Sequence, residues 1–209
     1  MQGLSAANAA NTTAATDHGY PVAHYAGVAV VDVRAAFRLD RSFGSLRTGD
    51  VIGMAQHHDA GFYADDPLPG DDFGAELARL RQVHEMHQAN GWGGIAYHTY
   101  GFPSGRLYLT RDLTQWGAHV AKRNYQLTGH CSAGDWTHRA PPIGTQLTAA
   151  LAWFVHQAAH PMRLLFIAGH RQWALPASPS ACPGDANGLW IPRLPAAITA
   201  IANSRRKPA

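Results

Sequence analysis

Short apolar runs alternate along the chain with longer segments of helical periodicity. Two strand-like runs, at residues 51–56 and 163–168, have the length of buried strands. Residues 127–133, which carry Cys131, are expected to form another central strand. Residues 94–100 and 106–110 alternate in polarity around Pro103-Ser104-Gly105, a pattern typical of a β-hairpin. A β-branched run within residues 26–37 predicts a further strand, either at a sheet edge or in the wall of a groove.

Apolar residues spaced three to four positions apart predict helices between the strands. One face of the first helix is formed by Phe73, Leu77, Leu80, His84 and His87. Asp71-Asp72 offers an N-cap for this helix and Asn90-Gly91 ends it. Residues 147–158 and 194–203 predict two later helices. Because helices and strands interleave, we expect an α/β fold, a single domain with a mixed central β-sheet flanked by helices on both faces.

Length and composition restrict the classes of protein that the chain can belong to. At 209 residues, one domain is the default, with residues 1–25 as a flexible N-terminal tail and residues 26–209 as the folded domain. The net charge of +3 is too small to indicate a nucleic-acid partner, although it suits an anionic cell-wall polymer. No apolar run reaches the ~18 residues of a membrane span, and the N-terminus has no secretory signal pattern.

Histidine and cysteine supply the candidate chemistry. His57 and His170 each follow a predicted strand, and Cys182 lies 12 residues beyond His170. A buried histidine and a buried thiol are most often parts of a core, so each residue alone is weak evidence. Two imidazoles and one thiolate with a fourth position for water would form a catalytic zinc site. A disulfide between Cys131 and Cys182 is the alternative that the cysteine count allows.

Six short motifs strengthen the zinc interpretation, and they occur in a fixed order between residues 50 and 190. They are His57-His58-Asp59-Ala60-Gly61; His87 with Gly91-Trp92 and Ile95-Ala96-Tyr97-His98; Gly117-Ala118-His119 with Asn124; Gly129-His130-Cys131; Gly169-His170-Arg171; and Ala181-Cys182-Pro183-Gly184-Asp185. In this order they resemble the zinc-dependent N-acetylmuramoyl-L-alanine amidases, which include the amidase-type phage lysozymes and the peptidoglycan recognition proteins.

This resemblance implies a role for each matching residue. It implies that His57, His170 and Cys182 bind Zn²⁺. It implies catalytic roles for Tyr97, in the first strand of the hairpin, and for Ser180, where relatives have lysine or threonine. It also implies that the substrate-binding residues are His58, His119 and Asn124. Two further departures from the family are Cys131, where some relatives have glutamate, and four extra residues between His170 and Cys182, which we expect to bulge beside the groove around residues 173–176.

The function implied by the resemblance is hydrolysis of the amide bond between N-acetylmuramic acid and L-alanine in peptidoglycan. The alternative is a module that binds muropeptides without cleaving them, although relatives of that kind commonly lack the ligand cysteine. We expect a monomer with peptidoglycan as its partner, without nucleic acid and without membrane insertion. Because the N-terminus has no secretory signal pattern, the family member that we favour is a phage endolysin, made in the host cytoplasm and acting on the cell wall. A cytoplasmic recycling enzyme is the second possibility.

Overall fold

The computed structural model describes residues 16–47, 49–59, 72–161, 166–184 and 190–206. Eight strands are found in them: β1 (Thr16–Asp17), β2 (Tyr20–Tyr25), β3 (Val28–Asp32), β4 (Gly53–His58), β5 (Thr99–Gly101), β6 (Leu107–Leu109), β7 (Leu127–Ser132) and β8 (Ile167–Gly169). They form one mixed sheet in the order β1-β2-β3-β6-β5-β7-β4-β8. The predicted strand at residues 163–168 is described only from residue 166 onward.

Helices cover both faces of this sheet. They are α1 (Phe73–Ala89), α2 (Ile143–Ala159), α3 (His170–Trp173) and α4 (Leu194–Arg206). Side chains alternate along β6, so that Leu107 and Leu109 pack with residues of α2 and α4, whereas Tyr108 packs with residues of α1. The predicted α/β fold with helices on both faces is therefore confirmed. Within the described residues, no helix is both long and apolar enough to cross a membrane.

The local signals at the ends of α1 are confirmed, but the buried face of α2 differs from the prediction. Asp72 caps α1 by accepting a hydrogen bond from the Ala75 N–H at 3.0 Å, and the helix ends at Asn90. In α2 the predicted apolar face included Leu147, which is exposed. The helix instead buries His156, whose two ring nitrogens contact Thr128 Oγ1 at 2.7 Å and Thr99 Oγ1 at 2.9 Å. The buried face of α2 includes polar residues, so a prediction based only on the spacing of apolar residues placed this face incorrectly.

Part of the predicted N-terminal tail belongs to the sheet. Residues 16–25 form β1 and β2, and β2 pairs with β3 through four residue pairs. The His18 ring stacks on Phe73 of α1 at a centroid distance of 4.2 Å, and Asp17 forms an ion pair with Arg106. β1 and β2 lie between β3 and the edge of the sheet. β3 is therefore not an edge strand, and the predicted edge position is wrong. The rest of the tail, residues 1–15, lies outside the described residues.

Truncation tests this division of the N-terminal segment. Deleting residues 1–15 is expected to leave stability unchanged, since they contain almost no large apolar side chain. Deleting residues 1–25 removes β1 and β2, uncovers β3 and is expected to lower the free energy of unfolding by about 3 kcal/mol or more. Urea denaturation followed by circular dichroism measures both changes. Equal midpoints for the two truncated chains would contradict a structural role for β1 and β2.

Candidate metal centre

Three side chains with metal-binding atoms meet at one edge of the sheet. His57 is the fifth residue of β4, His170 directly follows β8, and Cys182 lies in the loop beyond α3. β4 runs parallel to β7 on one side and to β8 on the other, so the carboxyl ends of these strands lie together. This is the edge at which α/β sheets bind ligands.

The three residues have the geometry of a metal site. One ligand atom from each of His57, His170 and Cys182 lies within 4.8 Å of the other two. His57 Nδ1 is 3.6 Å from Cys182 Sγ. A tetrahedral Zn²⁺ with bonds of about 2.0 Å to nitrogen and about 2.3 Å to sulfur holds such a pair about 3.5 Å apart. The group can therefore bind a metal such as zinc, with a fourth position left open.

Neighbouring groups hold these three side chains in place. Ser180 Oγ accepts from the Cys182 N–H at 3.2 Å and lies 3.3 Å from His170 Nδ1. The His58 N–H donates to Cys182 Sγ at 3.4 Å, and the Arg171 N–H donates to the Cys182 carbonyl at 2.8 Å. Such contacts orient ligands and stabilise a thiolate. Ser180, for which the family resemblance implies a catalytic role, lies on the cleft wall and contacts two of the candidate ligands.

Burial sets the protonation states of the candidate ligands. It lowers the pKa of His170 to about 4, and it lowers the pKa of His57 well below the usual value, with a further contribution from His119. Both imidazoles are therefore neutral at pH 7, the form that binds metals. Burial also raises the pKa of the Cys182 thiol to about 12. Metal binding at neutral pH must consequently release the Cys182 proton.

Tyr97 lies next to the three ligands, just before a strand rather than within one. The ladder of β5 begins at Thr99, although the His98 backbone already bonds to Gly129 and Thr110. The Tyr97 ring is 4.9 Å from the His57 ring and lines the open cleft. Burial, together with the Cys131 and Cys182 thiols, raises the pKa of Tyr97 well above its usual value, so the hydroxyl is a hydrogen-bond donor at neutral pH.

The residues assigned to substrate binding all line the same cleft, and their polar atoms also bond within the protein. His58 Nδ1 accepts from the Trp136 N–H at 3.2 Å. His119 Nδ1 lies 3.1 Å from His57 Nε2. Asn124 Oδ1 accepts from the backbone N–H groups of His119 and Val120, both at 2.9 Å. His119 and Asn124 therefore support the loop beside His57 as well as lining the cleft.

Aromatic side chains form much of the remaining cleft wall, and the sequence analysis did not single them out for this. The cleft has a volume of about 730 Å³. Phe43, Trp92 and Tyr125 line it while remaining 40%, 39% and 47% exposed, which is unusual for large apolar side chains. The Trp116 Nε1–H donates to the Ser45 carbonyl at 3.0 Å, which holds the segment carrying Phe43 against the cleft. No periodic pattern marks these residues because all four lie outside helices and strands.

The structure also gives Asp59 a role that no sequence pattern indicated, as the centre of a buried hydrogen-bond network. Its carboxylate accepts from Arg79 Nε at 2.9 Å, from the Gly134 N–H at 2.6 Å and from the Tyr100 hydroxyl. All three donors come from different elements, and both Asp59 and Arg79 are buried. The network therefore ties the segment after His57-His58 to α1, β5 and the loop after β7.

Of residues 173–176, which were expected to bulge beside the groove, Trp173 packs inward, Ala174 and Leu175 are partly buried, and Pro176 is exposed. Trp173 is buried, contacts Phe166 at a ring distance of 5.0 Å and donates from Nε1 to the Met54 carbonyl at 3.4 Å. The residues of this loop that line the cleft are Ser178, Pro179 and Ser180. Asp185, and Ala60 and Gly61 of the first motif, lie outside the described residues. Both cysteines are free, so the disulfide alternative is wrong.

At the level of sequence, no family model matches the chain, and no curated protein does either. Solved structures do match. Drosophila peptidoglycan recognition protein LB has a TM-score of 0.63 at 23% identity, over 78% of this chain and 91% of that chain. The endolysin N-acetylmuramoyl-L-alanine amidase LysCS from Clostridium intestinale has a TM-score of 0.56 at 17% identity, over 83% and 95%.

A third similar structure is peptidoglycan recognition protein LE in complex with tracheal cytotoxin, a monomeric diaminopimelic acid-type peptidoglycan. It has a TM-score of 0.60 at 16% identity, over 75% of this chain and 88% of that chain. The chain thus has the fold shared by peptidoglycan recognition proteins and N-acetylmuramoyl-L-alanine amidases. The resemblance based on the six motifs is confirmed at the level of the fold, which at these identities is what the likeness shows.

Proposed function

We propose that the protein is a zinc-dependent N-acetylmuramoyl-L-alanine amidase, a hydrolase that cleaves the amide bond between N-acetylmuramic acid and L-alanine in peptidoglycan. The observation that carries the proposal is the convergence of His57, His170 and Cys182 beside Tyr97 in an open cleft. Three protein ligands with a free fourth position are typical of catalytic rather than structural zinc. A zinc ion held there would supply an acidified water and polarise the amide carbonyl.

The protein's own side chains supply the remaining functions of an amidase. The Tyr97 ring stands next to the ligand group, and we propose that its protonated hydroxyl donates to the oxyanion that develops as the amide carbonyl is attacked. The exposed rings of Phe43, Trp92 and Tyr125 offer flat apolar surfaces beside polar groups, a wall suited to amphipathic sugar rings and a peptide stem. The named activity of LysCS and the ligand of protein LE support the same substrate class.

A muropeptide-binding module without catalysis is the second candidate, and the presence of peptidoglycan recognition proteins among the similar structures favours considering it. Purified peptidoglycan distinguishes the two. An amidase is expected to release stem peptides that begin with a free L-alanine amine, to stop in the presence of a chelator, and to recover when Zn²⁺ is added. Saturable binding without any released peptide from a zinc-loaded chain would instead support the binding module.

We further propose that the enzyme acts as an endolysin, a bacteriolytic protein that degrades the cell wall from the side of the host cytoplasm. The proposal relies on the resemblance to amidase-type phage lysozymes. An endolysin is expected to clear suspensions of permeabilised bacteria and to digest intact sacculi. A recycling enzyme would prefer small soluble muropeptides over sacculi by a wide margin, and that preference would contradict the endolysin proposal.

A further inference from the structure

The two ring nitrogens of His57 face different partners. Nδ1 lies 3.6 Å from Cys182 Sγ and points toward the candidate metal position. Nε2 lies 3.1 Å from Nδ1 of His119, and the two rings meet edge to face at an interplanar angle of 87°. A neutral imidazole has one donor and one acceptor nitrogen. For His57 Nδ1 to offer a lone pair to a metal, its proton must lie on Nε2, the nitrogen that faces His119.

His119 is fixed at this position by the backbone around it. Asn124 Oδ1 accepts the backbone N–H groups of His119 and Val120. Two glycines leave room for the ring. A Cβ at Gly117 would lie 2.2 Å from His119 Cδ2, and a Cβ at Gly129 would lie 2.9 Å from three atoms of the ring. Both glycines belong to motifs found in the sequence, and the structure supplies a physical reason for them.

We propose that His119 is a positioning residue: its Nδ1 accepts the Nε2–H of His57 and thereby holds His57 in the tautomer that presents Nδ1 to the metal. The inference rests on the proposed function only in assuming that a metal binds at this site. Metal-bound histidines commonly donate their second N–H to a carboxylate or carbonyl oxygen. In this protein the acceptor is an uncharged nitrogen, which orients the ligand without adding a negative charge to the site.

Two substitutions separate the acceptor atom from the bulk of the ring. His119→Phe keeps an aromatic ring in the glycine-lined space but removes the acceptor. His119→Asn removes most of the ring but can place an amide oxygen where Nδ1 stood. The matched control is His24→Phe, the same replacement at an exposed position on β2. Thermal unfolding of each variant shows whether it is folded.

The first measurement needs neither metal nor activity. In the metal-free chain, ¹⁵N chemical shifts of the His57 ring report which nitrogen carries the proton. We expect the proton on Nε2 in the wild type and in His119→Asn, and a mixture of tautomers in His119→Phe. A proton on Nδ1 of His57 in the wild-type chain would overturn the proposal. Because this readout does not involve peptidoglycan, it holds whether or not the chain proves to be an amidase.

The second measurement is zinc affinity, determined by competition with a chromophoric chelator at pH 7. We expect His119→Phe to lose about 10- to 100-fold in affinity, the range for loss of an outer hydrogen-bond partner, and His24→Phe to lose none. His119→Asn is expected to retain more affinity than His119→Phe, although it leaves the larger void. If the two variants lose affinity equally, or if only His119→Asn loses it, the ring's bulk matters rather than its acceptor, and the proposal is wrong.

Discussion

Replacing Cys182 with serine is expected to remove most of the zinc affinity of the protein. The change exchanges a soft thiolate for a hard hydroxyl that stays protonated at neutral pH. It also leaves the His58 N–H without its sulfur acceptor. The loss should exceed the about 10- to 100-fold typical of an outer partner, because a direct ligand is removed. Elemental analysis after dialysis against a weak chelator measures the result.

Cys131→Ser is the matched control for this experiment. Cys131 is also buried, and it pairs with His57 in the register of β4 and β7, yet it is not part of the ligand group. A serine hydroxyl at this buried position is expected to lower stability by about 1–3 kcal/mol, while one zinc per chain is retained. Full zinc occupancy in Cys182→Ser would contradict the assignment of Cys182 as a ligand.

Removing the Tyr97 hydroxyl is expected to reduce turnover by about 100-fold or more, the scale found when one oxyanion donor is lost. Tyr97→Phe keeps the ring and its contacts with His57 and His87, so zinc content and the free energy of unfolding should change little. The effect should appear in kcat rather than in KM, because the hydroxyl acts on charge that develops only during the reaction.

Hydrolysis of a soluble N-acetylmuramoyl peptide at saturating zinc measures this prediction. Tyr25→Phe is the control, since it removes the same hydroxyl oxygen from β2, and four strands of the sheet separate β2 from β4. The Ser180 hydroxyl bonds to the Cys182 N–H and contacts His170, so it is already engaged with two candidate ligands. Ser180→Ala is therefore expected to reduce turnover less than Tyr97→Phe does. Near wild-type turnover in Tyr97→Phe would reduce Tyr97 to a packing residue.

The ends of helix α1 could be predicted from the sequence, because they depend only on residues close by in the chain. The cap at Asp72 and the end of α1 at Asn90 follow from backbone groups that only nearby residues can satisfy. β4 was predictable in part from the strand-like run at residues 51–56, although both β4 and β7 are buried along their whole length and include polar residues such as Gln56 and His130. The candidate ligands His57, His170 and Cys182 were identified by their chemistry and by the family resemblance before their positions were known.

Tertiary structure alone decided which distant residues meet. His57, His170 and Cys182 converge because β4 and β8 are parallel neighbours, a pairing that no local pattern encodes. Burial of Trp173, inclusion of β1 and β2 in the sheet, and the rotation of α2 toward His156 likewise depend on partners far along the chain. The contact between His57 and His119 depends on space left by two glycines on separate segments. Apolar periodicity indicates which elements form, whereas register and packing determine which face of each element is buried and what its residues contact.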